Sequence, residues 1–318
     1  MADPLSRLRS GDARSLARAI TMAVEQAPGA EALLRAAFPL TGQARVVGLT
    51  GPPGSGKSTL VDALARRYRA AGETLGIVAV DPTSPFTGGA ILGDRIRMQA
   101  HHNDPGIFIR SLATRGALGG LAQAASDVVA LLDAAGKQRI LVETVGVGQD
   151  EVDIIQLADV TVVVLMPGMG DEVQAIKAGL MEIADVFVIN KADRGPERLE
   201  QEINAMLALA PRGDGAERWR PPIVRTVATS GEGLAELEAA IAQRFEWLER
   251  HGGLAHHRAR QWQLRLRQFA RDRLAERLLA PWLTEERLHD LAESITARGA
   301  NPYDAVDGLI AAALAKRQ

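Results

Sequence analysis

The chain has 318 residues, 37 Lys and Arg against 39 Asp and Glu, a formal net charge of −2 and no cysteine. A near-neutral balance with only 4% aromatic residues argues against a nucleic-acid surface, and the lack of cysteine excludes a disulfide framework and thiolate metal sites, in keeping with a reducing cytoplasm. No run of about 18 uncharged apolar residues is present, so no membrane span is expected.

Residues 1–43 read as a helical extension, with Ser10 as N-cap and Ala13, Leu16, Ile20 and Val24 as an apolar stripe. From 44 to 250 short apolar runs alternate with amphipathic ones. Strands are expected at 44–50, 75–81, 106–112, 139–145, 160–166, 186–190 and 223–228. Helices are expected at about 58–71, 118–135, 172–181, 196–210 and 233–249. This alternation predicts an α/β domain, a mainly parallel sheet flanked by helices, with ligands at the carboxyl ends of the strands. His251 to His257 reads as a linker, and 251–318 as a helical arm of a kind that suits dimerisation. Arg258, Arg260, Arg265, Arg267, Arg271, Arg273 and Arg277 fall on one arm helix, read as a solvated or partner-facing flank. His101-His102 and His256-His257 lack a third ligand at metal spacing and are expected at the surface.

The first strand leads into Gly51-Pro52-Pro53-Gly54-Ser55-Gly56-Lys57-Ser58-Thr59, a match to G-x-x-x-x-G-K-[ST] between a strand and a helix. Glycines at 51, 54 and 56 let backbone N–H groups approach phosphates, and the helix N-terminus adds unsatisfied donors and partial positive charge. Lys57 would reach the β- and γ-phosphates and Ser58 would bind Mg²⁺. The second strand ends in Asp81, and the loop after it returns Asp94; both are placed near Mg²⁺ or its waters, where hard oxygen ligands are needed. Glu143-Thr-Val-Gly146-Val-Gly148-Gln149 begins at the end of the 139–145 strand and runs past it. Glu143 there is expected to reach Mg²⁺ through water. Gly146 is expected to offer its N–H to the γ-phosphate, and Gln149 to position the attacking water. Lys57, Asp94, Glu143 and Gln149 form the candidate catalytic set.

Pro167-Gly-Met-Gly170 opens a helix carrying Asp171, Glu172, Gln174 and Lys177, with Lys177 within helical reach of the acids. Asn190-Lys191-Ala-Asp193 follows an apolar strand. Asp193, an acceptor-only carboxylate, suits the N1–H and N2 amino group of guanine, which adenine lacks. Asn190 should brace the base and the loop, and the Lys191 stem should lie over the ring. Ala228 and Thr229 end a further strand, where a backbone amide would meet the guanine carbonyl. The bound nucleotide is therefore expected to be GTP or GDP.

These residues carry a family resemblance. GPPGSGKST (51–59), VDPTSPFTGGAILGDRIRM (80–98), ETVGVGQDE (143–151), PGMGDEVQAIKAG (167–179) and INKAD (189–193) resemble the MeaB/ArgK family of P-loop GTPases in the SIMIBI class. The resemblance covers about 40–250, and less specifically the flanking helices. It implies hydrolysis of GTP with Mg²⁺, a homodimer, and a chaperone role for an adenosylcobalamin-dependent acyl-CoA mutase. It also makes 167–179 an extra switch that couples the nucleotide to the mutase. Other readings are a GTP-dependent metallochaperone or scaffold, or the transport-system kinase formerly ascribed to the family.

Overall fold

A computed structural model of the chain describes residues 8, 11–81, 101, 104–113, 120–144, 157–168, 183–209 and 219–315. The chain divides into two compact units, Met1–Arg258 and Ala259–Gln318. Among the described residues no helix is long and apolar enough to cross a membrane.

The first unit opens with helices α1 (Ala13–Val24) and α2 (Ala30–Ala37). Asp12 caps α1, its carboxylate accepting from the Arg14 and Ser15 amides, and Leu16, Ala19, Ile20 and Ala23 form the buried face. Ser10, expected as that cap, lies outside the described residues. Among the described residues seven strands follow, β1 (Arg45–Thr50), β2 (Leu75–Asp81), β3 (Ile107–Ala113), β4 (Arg139–Glu143), β5 (Val160–Leu165), β6 (Val186–Asn190) and β7 (Ile223–Thr226). They form one sheet in the order β3-β2-β4-β1-β5-β6-β7, and every neighbouring pair is parallel. The interleaved helices are α3 (Lys57–Ala70), α4 (Gly120–Ala134), α5 (Glu197–Leu209) and α6 (Leu234–Arg250).

The strands read as continuous apolar runs because both faces of the sheet are covered. Alternate residues go to opposite cores. In β5, Val160, Val162 and Val164 join Leu60, Leu64, Leu237 and Phe245 under α3 and α6, while Val163 and Leu165 join Phe187, Ile189, Leu199 and Ile203 under α5. In β4, Leu141 faces the first of these cores, and Ile140 and Val142 face α1 and α4 through Leu16, Ile20, Val128 and Leu132. This two-residue period fixes the register. The parallel direction of the strands puts the carboxyl ends of β1, β2, β4, β5 and β6 at one edge, where the motif-bearing loops begin.

The chain segment before β1 is held by charge. The Asp133 carboxylate accepts from the amides of Gly42, Gln43 and Ala44. Arg258 donates to both oxygens of Asp159 at 2.7 and 2.8 Å and to the carbonyls of Gly42 and Ala44. Arg258, expected on a solvated flank, is thus an internal anchor of the first unit. The reason is Asp159, 2% exposed on its side chain, which also accepts the Val46 amide and needs a cationic partner.

Helix α7 runs from Gly253 to Leu274, so the segment expected as a linker is helical from Gly253 onward. The second unit continues through a π-type turn, Ala275–Leu279, to α8 (Glu285–Thr296) and α9 (Pro302–Ala315). Thr284 caps α8, its hydroxyl accepting the Arg287 amide, and Asn301 caps the start of α9, its Oδ1 accepting the Asp304 amide.

Candidate nucleotide site

The loop between β1 and α3 is shaped by two close approaches. Gly51 has φ +139°, and a Cβ there would stand 2.0 Å from the Val164 carbonyl oxygen of β5. Gly56 has φ +93°, and a Cβ there would stand 2.3 Å from Asn190 Nδ2. A side chain at either position clashes as well as strains the backbone. Helix α3 starts directly after Gly56, with no side-chain cap and no acidic residue in its first turn. Its leading N–H groups and positive dipole end are left for an anion. Lys57 is 6% exposed and folds back on the loop, donating through Nζ to the carbonyls of Gly51 at 2.6 Å and Pro52 at 3.0 Å. A phosphate oxygen entering the loop would compete with those neutral acceptors and offer a charged one.

Ser58, the second residue of α3, donates from Oγ to Glu143 Oε1 at 2.6 Å. Glu143 ends β4 and is 5% exposed. The next residue, Thr144, donates to Thr50 Oγ1 at 3.0 Å and through its amide to the Leu49 carbonyl. The chain therefore leaves β4 across the end of β1, beside the loop. A hydroxyl and a carboxylate oxygen side by side at the strand ends are hard donors of the kind Mg²⁺ takes, so the described part of the expected metal set fits that ion. Among the described residues no group of three or more metal-capable side chains occurs. Asp81 closes β2, but its side chain, together with Asp94, Gly146, Gln149, Asp171, Glu172, Gln174 and Lys177, lies outside the described residues.

The 190–193 motif is tied to this loop directly. Asn190 is 2% exposed. Its Nδ2 donates to the Ser55 carbonyl at 2.8 Å, and its Oδ1 accepts from Thr226 Oγ1 and from the Ala228 amide, both at 3.1 Å. One amide side chain thus fastens the phosphate loop, the end of β7 and the segment after it. Strand β7 stops at Thr226 rather than 228, because Val227 turns to bridge Glu232. The Ala228 amide, expected to meet the guanine carbonyl, is donated to Asn190. Thr229 is exposed on that turn. Lys191 adopts a left-handed backbone, φ +56°, and its Nζ donates to the Gly54 carbonyl at 2.7 Å. Asp193 is exposed within the turn Ala192–Arg194, its carboxylate open to a ligand from solvent.

Three contributors had no sequence signal strong enough to single them out. Thr226, Thr50 and Thr144 are threonines at strand ends, and only the sheet order pairs Thr226 with Asn190 and Thr144 with Thr50. His101 corrects an expectation. It is 7% exposed, not at the surface, and pairs through Nε2 with Asp62 Oδ1 of α3 at 2.6 Å. His256 is exposed on α7.

Residues 16–281 match the family described as Methylmalonyl Co-A mutase-associated GTPase MeaB. The chain belongs to the MeaB family of GTPases. A relative from Pyrococcus abyssi named as a GTPase is 47% identical over 96% of this chain and 94% of its own length. GTPase ArgK of Escherichia coli is 36% identical over 82% of this chain and 81% of its own. The mouse protein named Methylmalonic aciduria type A homolog, mitochondrial, is 34% identical over 84% of this chain and 65% of its own. Among solved structures, a LAO/AO transport system kinase superposes with a TM-score of 0.70 at 27% identity, covering 97% of this chain and 95% of that one. As a MeaB-family member the chain binds guanine nucleotide and hydrolyses GTP, and its parallel sheet with flanking helices is the P-loop NTPase fold.

Proposed function

We propose that this GTPase is the nucleotide-driven chaperone of an adenosylcobalamin-dependent acyl-CoA mutase, gating cofactor loading and protecting or reactivating the client. The observation that carries the reading is the match over 16–281 to a family described as mutase-associated, supported by the likeness to the mouse protein named for methylmalonic aciduria.

In this reading the loop Gly51–Thr59 wraps the phosphates, and Lys57 exchanges its bonds to the Gly51 and Pro52 carbonyls for the β- and γ-phosphates. Ser58 and Glu143, with Asp81 and Asp94, hold Mg²⁺, which when bound supplies positive charge against the phosphate oxygens. Asp94, Glu143 and Gln149 orient the metal shell and the attacking water, and the Gly146 N–H reads the γ-phosphate. Asn190 braces the loop, Lys191 covers the base and Asp193 reads guanine, with the Ala228-Thr229 turn beside the base. Asp171, Glu172, Gln174 and Lys177 form the extra switch toward the client. The 259–318 unit exposes Tyr303, Val306, Ile310 and Leu314 at helical spacing on α9, an apolar row that supports the homodimer. The reading needs no nucleic acid or membrane, and a cytoplasmic setting suits it.

GTP turnover measured alone and with a panel of adenosylcobalamin mutases tests it. Stimulation by one mutase is expected; flat turnover with every mutase despite tight GTP binding overturns the client assignment. The structural neighbour's description as a transport-system kinase favours a second reading, phosphoryl transfer to a protein. The same assay with γ-labelled GTP separates the two, because a kinase leaves label on protein and a hydrolase releases it.

A further inference from the structure

Met166 is the first residue past β5, immediately before the Pro167-Gly168 turn, and no motif includes it. Its side chain touches two of the elements described above. The Lys191 ammonium stands 3.4 Å from Met166 Sδ while also donating to the Gly54 carbonyl at 2.7 Å. A Cβ on Gly54 would lie 3.9 Å from Met166 Cε, so the methyl borders the space beside the loop glycine. Two residues upstream, the Val164 backbone approaches Gly51 more closely, its carbonyl oxygen 2.0 Å from where a Cβ would stand. The carboxyl end of β5 is therefore a support for the phosphate loop, and Met166 is the part of it that also meets Lys191.

Lys191 needs that support. A left-handed backbone disfavours an L-residue with a long side chain and persists only where surrounding contacts over-determine it. Here the Lys191 carbonyl accepts the Arg194 amide at 3.0 Å, and the tip of the side chain makes the two contacts above. Gly54 supplies one full acceptor. The Met166 thioether supplies a weak acceptor and, more importantly, a polarizable apolar surface against the lysine tip. With the ammonium fixed at one end and the backbone at the other, the aliphatic stem has one course across the mouth of the site. A lysine free to leave would have to be ordered by each incoming nucleotide, at a cost in side-chain entropy.

We propose that Met166 is a positioning residue for guanine-nucleotide binding, acting through Lys191 by holding its side chain between the phosphate loop and the end of β5. The inference rests on the reading of Lys191 as the residue that covers the base. It gives the 167–168 turn a physical route to the nucleotide, since any displacement of that turn moves the neighbouring thioether and releases the lysine.

The test is a double-mutant cycle on GDP affinity and release, using the full chain and a fluorescent GDP analogue, with thermal unfolding of the nucleotide-free variants as a fold control. Lys191→Ala is expected to weaken GDP about 10-fold and Met166→Ala about 5-fold, chiefly through faster release. The double variant is expected at about 10-fold, not the roughly 50-fold of independent sites. Met166→Leu, which keeps volume without sulfur, is expected to restore at least half of the Met166→Ala loss. Multiplicative losses, or an unchanged release rate in Met166→Ala when Lys191→Ala is impaired, overturn the role of Met166. Unchanged binding in Lys191→Ala instead overturns the reading of Lys191 on which the inference stands.

Discussion

Replacing Asn190 by alanine should damage stability and nucleotide binding together, by amounts the structure sets. The side chain makes three hydrogen bonds, to the Ser55 carbonyl, the Thr226 hydroxyl and the Ala228 amide, from a position 2% exposed. Each net bond is worth about 1 kcal/mol, and a buried partner left unsatisfied costs about 1–3 kcal/mol more. The Thr226 hydroxyl can rotate and the half-buried Ala228 amide can recruit water, so the Ser55 carbonyl is the group left stranded. The loss should therefore be at least about 3 kcal/mol, which for a domain of this size lowers Tm by roughly 6–12 °C. Because Ser55 belongs to the phosphate loop, GDP should bind at least about 10-fold more weakly. Thr226→Val removes one bond and no volume, and should cost about 1 kcal/mol, or roughly 2–4 °C. Calorimetry of the nucleotide-free protein, followed by GDP titration, measures both. A Tm shift under about 2 °C with unchanged GDP affinity in Asn190→Ala, or an equal loss in Thr226→Val, would refute the three-bond reasoning.

Other consequences are as direct. Lys57→Ala should reduce GTP affinity by at least about 100-fold, since Nζ, held by the Gly51 and Pro52 carbonyls, is the cation placed to meet a phosphate in the loop; retained affinity in equilibrium binding would exclude the phosphate role. Asp193→Asn should weaken GTP and admit xanthosine triphosphate, whose extra carbonyl needs a donor, and an unaltered preference in competition binding would count against guanine reading by this carboxylate. Tyr68 is fully buried, and burial, its main cause, pushes the phenol up to about 12. A folded value above the unfolded one means that this stability is complete below about pH 10 and is lost as pH rises toward 12, by at most about 1.4 kcal/mol per pH unit. Tyr68→Phe should flatten that alkaline loss and be neutral or stabilising at pH 7, because the hydroxyl has no hydrogen-bond partner among the described residues; a lower Tm at pH 7 in thermal melts would contradict this.

The local signals were legible where they were strong and short-ranged. Seven apolar runs became seven strands with ends shifted by no more than two residues. Gly51, Gly56 and Lys57 could be read from spacing alone, since the loop's chemistry is contained in eight consecutive residues. Side chains that act across the sheet could not be read in this way. Arg258 lies in a row of arginines and only the fold gives it a buried carboxylate, Asp159, 99 residues away. His101 finds Asp62 across 39 residues. Glu143 was expected near the metal, but its direct bond to Ser58 needed β4 to lie beside β1.

The sequence by itself therefore determined the ligand class and the layered α/β architecture, because phosphate and guanine are recognised by short contiguous motifs and a parallel sheet by apolar runs between amphipathic helices. Only the tertiary structure decided how those motifs are joined. Asn190 spans 135 residues to reach Ser55, and Met166 and Gly54 meet at the tip of Lys191. A residue's type advertises its chemistry, but its partner is chosen by strand order and register, which no local pattern encodes.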